Sequence, residues 1–491
     1  MKKLALLLLI LNLIGSTIPL LAQLSGQNIA EFRYGENPEF DDSQNSVSIY
    51  DRLVIDYDYN QFKLGFTVEQ YWSQFDERNY IAPNQVRLQY KSDNWDVKLG
   101  NFYEILGRGT MMRAFQVPGA VLDDLGDKTR SYFHRDFVGG LVKYQQENWS
   151  VKALAGQPLQ YVFTPLQDYE IRRPDSVAVV GGDYQLKSHK VEYNIMYLTN
   201  DAGEKYYSMT NLSGKILQNL SYYTELTFDH ANGIIGDNES YAWYFNLNYN
   251  IGALSLSGEY KDYKNIILGQ AEAFNEPPAL VKQHTYRTLN RSTHIPLPTY
   301  EEGWQLEAVY FFPNASTLTF NHAAAINQLG ADNPVFTEYF LEYGTYIGET
   351  LDTKFYIDYS NSEFNGELDR YGIGFDIDYA LDKSTINIEW EYQTFERFGT
   401  QVNNTLVSLG YSKGSKFSAS VLTEYSDDAN IIEESQDFKF WVGTNVKWKP
   451  SFKDTFLLFA GTRRGGPACT SGVCYEILDF EGVELRYTRR L

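Results

Sequence analysis

The feature that most constrains this chain is a two-residue alternation of apolar and polar side chains along nearly its whole length. Segments such as 371–379 (YGIGFDIDY) and 385–392 (TINIEWEY) place aromatic and branched residues at every second position. The polar positions of three such segments carry the carboxylates Asp56, Asp58, Asp376, Asp378, Glu389 and Glu391. Successive side chains of a strand point to opposite faces. The pattern therefore predicts β-strands with one apolar and one charged face.

Two architectures use such strands: a soluble two-sheet sandwich and a closed barrel in a membrane. The predicted strands run to about ten residues or more, whereas strands of soluble proteins usually have about five or six. Tyrosine and tryptophan sit at the ends of the apolar faces, as at Tyr371, Tyr379 and Trp390, where rings anchor at the membrane–water interfaces. These features favour an all-β, antiparallel, up-and-down transmembrane barrel.

The connections between predicted strands alternate between short and long, which gives the topology by parity. Short turns such as 58–61 (DYNQ) are taken as periplasmic, and long loops as extracellular. The long connections include 103–136, 157–176, 263–303, 425–437 and 463–482. The strand Val47–Tyr57 then runs towards the periplasm, so Asn28–Tyr34 must be an earlier strand. We expect about 24 strands (22–26) in one barrel domain over residues 23–491.

The amino terminus predicts export. Lys2 and Lys3 precede an apolar run over residues 4–14, and small residues lead to Ala22, which is typical of a secretory signal peptide spanning residues 1–22. A membrane-anchoring helix is the rival interpretation, but Asn12 and Pro19 interrupt the apolar run. With the barrel pattern, this predicts export through the periplasm to the cell outer membrane, with lipid and lipopolysaccharide around the barrel.

The charge balance excludes some functions. Asp and Glu total 63 against 42 Lys and Arg, a net charge of −21, which argues against a nucleic-acid partner. Because a dry interior does not hold many unpaired carboxylates, we expect the charged strand faces to meet water inside the barrel. Ser131, His134 and Asp136 lie close in sequence, but a catalytic triad is defined by geometry. We therefore predict no enzyme, no cofactor and no metal site.

The two cysteines, Cys469 and Cys474, have four residues between them and lie within the last long loop. In an oxidising compartment they predict a disulfide that closes a small ring. Such a ring removes little chain entropy, so it would shape the loop tip more than hold the barrel. A metal site is the alternative, but two cysteines without a nearby histidine offer too few ligands.

The last predicted strand resembles the carboxy-terminal signal that barrel-assembly machinery reads. That signal has a glycine followed at three and five positions by hydrophobic residues, matched here by Gly482, Leu485 and Tyr487. The usual terminal aromatic residue is replaced by Arg489, Arg490 and Leu491. The resemblance implies that the assembly machinery is a partner.

Two further stretches, KLGNFYEILGRGTMMRAF (98–115) and RRGGPACTSGVCYEI (463–477), resemble segments of a family of large outer-membrane barrels of the Bacteroidetes. That family is known only as a domain of unknown function. The resemblance implies a barrel in the outer membrane and brings no activity, substrate or catalytic residue.

The loop 103–136 is the most informative part of the chain for function. It carries the arginines Arg108, Arg113, Arg130 and Arg135. If the loop folds into the lumen, these arginines facing the acidic wall would form a charged constriction that filters solutes. If it stays outside, they are salt-bridged residues of a solvated loop. The sequence leaves both open.

Two functions of different class follow. The first is a porin-like channel or transporter with a charged lumen. The second is a non-conducting outer-membrane scaffold whose loops, notably 263–303, bind an unknown surface or secretion partner. A receptor driven from the inner membrane is a weaker third, because no plug-sized domain precedes the strands.

Overall fold

The computed structural model describes residues 24–40, 44–160, 164–270, 272–295, 299–328, 333–431, 436–470 and 473–491, with the backbone alone at 468–470 and 473–474. The predicted signal peptide, residues 1–22, lies outside these residues and stays a prediction. No helix in the described ranges is long and apolar enough to cross a membrane.

The chain forms a closed antiparallel barrel of 24 strands. In chain order the strands are β1 Leu24–Glu36, β2 Ser46–Tyr59, β3 Phe62–Ser73, β4 Tyr80–Lys91, β5 Trp95–Phe102, β6 Phe137–Gln145, β7 Trp149–Pro158, β8 Ser176–Leu186, β9 His189–Asn200, β10 Gly203–Leu217, β11 Leu220–Asp229, β12 Tyr241–Ile251, β13 Leu254–Lys264, β14 Tyr300–Phe311, β15 Thr317–Asn327, β16 Val335–Ile347, β17 Leu351–Ser362, β18 Glu367–Ala380, β19 Ser384–Arg397, β20 Thr400–Lys413, β21 Phe417–Ser426, β22 Lys439–Trp448, β23 Asp454–Arg463 and β24 Phe480–Arg490. The predicted fold class and strand number are confirmed.

The barrel closes where β1 pairs with β24, in a register that runs from Gln27 opposite Arg490 to Glu36 opposite Glu481. Gly35 and Gly482 face each other in this seam. Gly482 has φ +148°, and a Cβ there would collide with the carbonyl of Tyr34. The backbones of the first and last strands therefore approach closely at this point because both residues are glycine.

The apolar strand faces point outwards. On β18, Tyr371 is 55% exposed and Ile373 is 45% exposed, whereas Gly372 and Gly374 point inwards, towards Asp358 and Tyr356. Aromatic rings pair across neighbouring strands on the outside, as Tyr359 does with Tyr371 at 5.0 Å between ring centroids. A continuous apolar surface of this kind is what lipid requires.

The long connections lie at one end of the barrel, as the parity argument predicts, but three connections at the same end are short: 201–202, 363–366 and 398–399. Short turns such as 60–61 and 187–188 lie at the opposite end. The bounds of the five long connections named in the sequence analysis agree with the structure to within a few residues. Three of the long connections are numbered by their order along the chain at the long-loop end: loop 3 (103–136), loop 7 (265–299) and loop 12 (464–479).

The long connections contain short elements of their own. Loop 3 has two hairpins, Ile105–Leu106 with Met112–Arg113 and Phe115–Asp123 with Arg130–Arg135. Loop 7 contains the helix Arg287–Arg291, and loop 12 the hairpin Gly466–Thr470 with Val473–Ile477. A helix at Tyr169–Arg172 and a 3-10 turn at Asp76–Arg78 lie in two other connections.

An apolar cluster lies inside the barrel, where loops 3 and 7 pack against the inner wall. Loop 3 contributes Leu106, Met111 and Met112, and loop 7 contributes Ile266 and Phe274. The wall contributes inward residues of β5 to β13, among them Phe137, Leu154, Val179, Met196 and Met209. This cluster removes apolar surface of both loops from water, which holds them inside the lumen.

Candidate functional site: the barrel lumen

The second hairpin of loop 3 docks on the inner wall beside the β1–β24 seam. Arg130 is buried there and bonds Glu31 of β1 at 3.0 Å and Asp123 of its own hairpin at 3.1 Å. Arg33 of β1 bonds Asp123 at 2.7 Å and Glu484 of β24 at 3.2 Å. These buried pairs connect the hairpin to both strands of the seam.

The charges of this cluster shift the ionisation of its loop residues. Burial alone would raise the pKa of Asp123, but Arg33 and Arg130 outweigh burial and hold that pKa below its ordinary value of 3.8. Burial alone would lower the pKa of Arg130, yet Glu31 and Asp123 raise it. Both side chains therefore stay charged at neutral pH.

The tip of loop 3 reaches the wall at β11. The backbone N–H of Arg108 donates to Glu225 at 2.7 Å, and the Thr110 hydroxyl donates to the same carboxylate. The Arg108 guanidinium lies 4.9 Å from the centre of the Tyr223 ring. Gly107 has φ +60°, and a Cβ there would collide with the Glu225 carboxylate. Glycine is therefore required for this contact.

The other two arginines of loop 3 meet loop 7. Arg113 lies 3.7 Å and Arg135 lies 3.3 Å from the carboxylate of Glu276. The backbone N–H of Arg113 donates to Phe274 at 3.0 Å, and that of Glu276 donates to Gly109 at 3.0 Å. Burial raises the pKa of Glu276, although the positive charges of Arg135 and Arg113 act to lower it. Loops 3 and 7 are therefore joined by both backbone and charge.

Loop 7 then follows the wall from β16 to β21. Glu391 of β19 accepts the backbone N–H groups of Arg287 at 2.9 Å and Thr288 at 2.8 Å. Arg291 makes a two-pronged bond with Glu424 of β21, one prong measuring 2.9 Å. Gly372 leaves room for Leu289. The short helix of loop 7 is thus held on the wall by carboxylates that point into the lumen.

A buried cluster of His284, Glu338 and Asp358 brings ligand-type atoms within 4.8 Å of one another. His284 comes from loop 7 and bonds Glu338 at 3.0 Å. Arg370 bonds Glu338 and Asp358, each at 3.1 Å. The guanidinium already supplies the positive charge between the two carboxylates, so the cluster is an ion-pair group that pins loop 7. Sequence analysis missed it because its members come from a loop and three strands.

Loop 12 lies against both other loops. Its Tyr475 ring packs 5.0 Å from Phe133 of loop 3, and Arg464 donates to Asn404 of β20 at 3.2 Å. Cys469 and Cys474 are opposite each other in the hairpin register. Their side chains lie outside the described part of the structure, so the disulfide stays a prediction.

The six predicted acidic wall residues all lie on inward strand faces, but their described partners belong mostly to the wall. Asp56 bonds Arg87 at 3.1 Å, and Lys63 lies 4.0 Å from Asp58. Asn387 donates to Asp376 and Asp378. Glu391 binds loop 7, and Glu389 is the next inward residue of β19. Three of the four loop 3 arginines, Arg113, Arg130 and Arg135, pair instead with Glu31, Asp123 and Glu276, while the Arg108 guanidinium lies over the Tyr223 ring. A charged constriction for solutes remains a prediction.

The expectation that the wall carboxylates meet water needs correction. Several inward carboxylates are buried beneath the loops and paired there: Glu31, Glu225, Glu338, Glu391 and Glu424. Hydrogen bonds and ion pairs satisfy these charges, as buried charges require. The lumen is therefore partly filled by protein, which the alternation alone does not reveal.

Among the described residues, one cavity near the long-loop end of the barrel and one near the short-turn end lie between the loops and the wall. The outer cavity, of about 590 Å³, has a lining that includes Arg291, Arg397, Lys439, Trp441, Arg464 and Asp479. Burial and the neighbouring Arg291 lower the pKa of Arg464 there to about 10. The basal cavity, of about 630 Å³, lies between the loop 3 hairpin and the short-turn end of β1 to β4, and its lining includes Arg52, Asp56, Lys63, Arg87, Tyr132 and Arg490.

His134 and Asp136 are close in space, with 3.8 Å between Nε2 and Oδ2. Asp136, however, accepts bonds from Gln85 at 2.7 Å, Asn101 at 2.9 Å and the guanidinium of Arg173. Its hydrogen-bonding capacity is used to join loop 3, the wall and the connection after β7.

A family model, described as a family of unknown function (DUF6029), matches residues 1–491. The chain belongs to this family. No curated protein matches the DUF6029 chain in sequence.

The DUF6029 chain is similar to several solved structures, to different degrees. The P pilus usher (PapC) translocation pore has a TM-score of 0.51 at 8% identity, with 95% of this chain and 99% of that chain covered. OpdO of Pseudomonas aeruginosa has a TM-score of 0.43 at 13% identity, with 70% of this chain and 93% of that chain covered. OccAB1 of Acinetobacter baumannii has a TM-score of 0.40 at 13% identity, with 69% of this chain and 91% of that chain covered. The usher likeness supports the barrel fold alone, and the other two scores are too low to define a shared fold.

Proposed function

We propose that this DUF6029 protein is an outer-membrane channel whose lumen is narrowed by loops 3, 7 and 12. The observation that carries the proposal is that these loops fold into a wide barrel yet leave two charged cavities, of about 590 and 630 Å³. The apolar outer face suits lipid, and the short turns would lie in the periplasm. Solutes would then pass along the charged walls beside the docked loops.

The inward position of loop 3 favours a channel that filters solutes rather than a freely open pore. Its hairpin is held by Arg130 on Glu31, and its tip by Arg108 and Thr110 on Glu225. These contacts are polar, whereas the first part of loop 3 is also held by the apolar cluster that includes Leu106, Met111 and Met112. The second hairpin is therefore the part of loop 3 that can leave the wall most readily. Loops with few apolar contacts are the elements that open most readily, and the loop 3 hairpin has only a small apolar cluster of its own.

A non-conducting scaffold is the second candidate, and one observation favours it. The first part of loop 3 and the start of loop 7 share an apolar cluster with the wall, which includes Leu106, Met111 and Phe274. A cluster of this kind resists opening. However, loop 7 makes up most of the segment 263–303 that was expected to bind partners. It lies inside the barrel, against Glu338, Glu391 and Glu424, and not on the outside where a partner could reach it.

Single-channel recording in planar bilayers separates the two candidates. Phe115 and Arg135 are paired across the second hairpin, so residues 116–134 can be replaced by a two-residue turn. We expect small conductance steps from the intact barrel and larger steps from this variant. A matched control shortens the exposed connection 230–240, where Ile235 is 92% exposed, and should leave the steps unchanged. If neither the intact barrel nor the variant without residues 116–134 shows conductance steps at any voltage, the channel is overturned and the scaffold is favoured.

The proposed location needs its own test. Membrane fractionation of the native organism should place the protein in the outer membrane, and a protease added to intact cells should cut the connection 230–240 before the short turns. Recovery of the protein from the soluble periplasmic fraction would contradict both the location and the channel.

A further inference from the structure

The basal cavity differs in charge from the chain around it. The chain has a net charge of −21, yet the lining of this cavity contains Arg52, Lys63, Arg87 and Arg490, and Asp56 is its one carboxylate among the described residues. These side chains come from the inward faces of β2, β3, β4 and β24. The wall therefore concentrates positive charge beneath the loop 3 hairpin.

Arg52 is the central residue of this cavity. It is only 6% exposed, and its Nε is buried without a hydrogen-bond partner. Within the described ranges no carboxylate forms an ion pair with its guanidinium. Glu69 is directly opposite on β3, but it already bonds Tyr80 at 3.0 Å and the backbone N–H of Tyr132 at 2.7 Å. Buried charges are normally paired, so Arg52 lacks an anion.

The other cations are placed towards the same space. Arg87 and Lys63 share Asp56, at 3.1 Å and 3.8 Å. A Cβ at Gly65 would lie 2.5 Å from Nε of Arg87, so the glycine makes room for that guanidinium. Lys63 also lies 4.0 Å from Asp58, so these two cations are balanced by two carboxylates. The surplus of positive charge in the cavity is therefore carried by Arg52 and Arg490.

The aromatic residues of the cavity are arranged for a polar ligand. The Arg52 guanidinium lies over the Tyr132 ring, with its central carbon 3.6 Å from the ring centre, which positions the guanidinium without neutralising its charge. The Tyr103 hydroxyl accepts a bond from Gln85 at 2.6 Å, so its own proton is left to donate. Burial raises the pKa of Tyr103, which keeps that proton in place.

We propose that the basal cavity binds a small solute through a carboxylate or phosphate group, with Arg52 and Arg87 as its principal contacts. A guanidinium presents two parallel N–H donors that match either group. The volume of about 630 Å³ lies within the usual range for small-molecule sites. The inference deepens the proposed channel, on which it rests for its physiological role, by assigning small anions as the solute class.

Isothermal titration calorimetry on the detergent-purified barrel tests the site, with inorganic phosphate and succinate as probes in separate titrations. We expect saturable binding of at least one probe. Arg52→Gln should weaken it about tenfold or more, since a charged hydrogen bond is lost, while Arg52→Lys should retain part of it. Lys354→Gln removes an exposed, inward-facing cation of β17 outside the cavity and should change nothing. Gel migration with and without boiling verifies that each variant is a folded barrel.

Absence of saturable binding of both probes, or equal affinity of the wild-type barrel and a folded Arg52→Gln barrel, would overturn the site and leave Arg52 as an anchor for the hairpin. Binding of one probe alone identifies the recognised group. Titration in detergent requires no conduction. A barrel that binds succinate but never conducts contradicts the channel alone, and one that conducts without binding contradicts this site alone.

Discussion

Glu391 is the residue whose change should most directly release loop 7 from the wall. Its Oε1 accepts the backbone N–H of Arg287 at 2.9 Å, and its Oε2 accepts that of Thr288 at 2.8 Å as well as the Thr288 hydroxyl. Glu391→Gln keeps the size of the side chain but removes its charge and one acceptor. The new amide NH₂ then faces donors that it cannot bond.

The magnitude follows from these contacts. A hydrogen bond to a charged group contributes about 1.5–3 kcal/mol net, and a buried unpaired donor costs about 1–3 kcal/mol. Since glutamine retains one neutral acceptor, we expect docking of loop 7 to weaken by about 3 kcal/mol. At about 1.4 kcal/mol for each factor of ten, the undocked population rises roughly a hundredfold.

Two measurements check this prediction. In planar bilayers the Glu391→Gln barrel should spend a larger fraction of time at its highest conductance, and trypsin should cut the barrel faster after Arg287 and Arg291. Asp378→Asn is the matched control, because it alters another inward carboxylate whose described partner is the wall residue Asn387. An unchanged open fraction together with an unchanged cleavage rate would refute the assignment of Glu391 as a residue that holds loop 7.

Three further predictions concern loop 3, loop 12 and assembly. The pKa of Asp123 is held below 3.8, so its contribution to docking is complete above that pH and is lost as the pH falls through the lowered value. Proteolysis of loop 3 should therefore accelerate in strong acid, and a flat pH profile would contradict this. Cys469 and Cys474 should resist alkylation until reduced, and reduction should leave the heat resistance of the barrel nearly unchanged; ready alkylation of the oxidised protein would exclude the disulfide. Replacing Leu485 and Tyr487 by asparagine should lower the yield of folded barrel in membranes, whereas equal yield would show that they are not an assembly signal.

The fold was predictable because its cause is local. A strand with lipid on one side must alternate, so β18 shows its two faces in nine residues. Counting such segments gave about 24 strands once the parity of the connections had required one more strand at the start. The first strand, Leu24–Glu36, was located by that parity as Asn28–Tyr34.

The arrangement inside the barrel was not predictable in the same way. Whether Arg130 meets Glu31 depends on the path of a loop through space, and the two residues are 99 positions apart in sequence. The inward position of Arg52 can be read from the alternation in β2, but its lack of a carboxylate partner cannot. Glycines gave a usable signal: Gly107 and Gly372 are small where a loop must approach the wall.

The β1–β24 seam has a consequence for biogenesis. Glu31 and Arg33 receive their ion-pair partners from Arg130, Asp123, Glu484 and Arg486. The charges of β1 are therefore incompletely paired until both loop 3 and β24 are in place. A half-inserted intermediate would carry bare charges along its leading edge, so a chaperone or insertase that shields this edge has a physical reason to stay bound until closure.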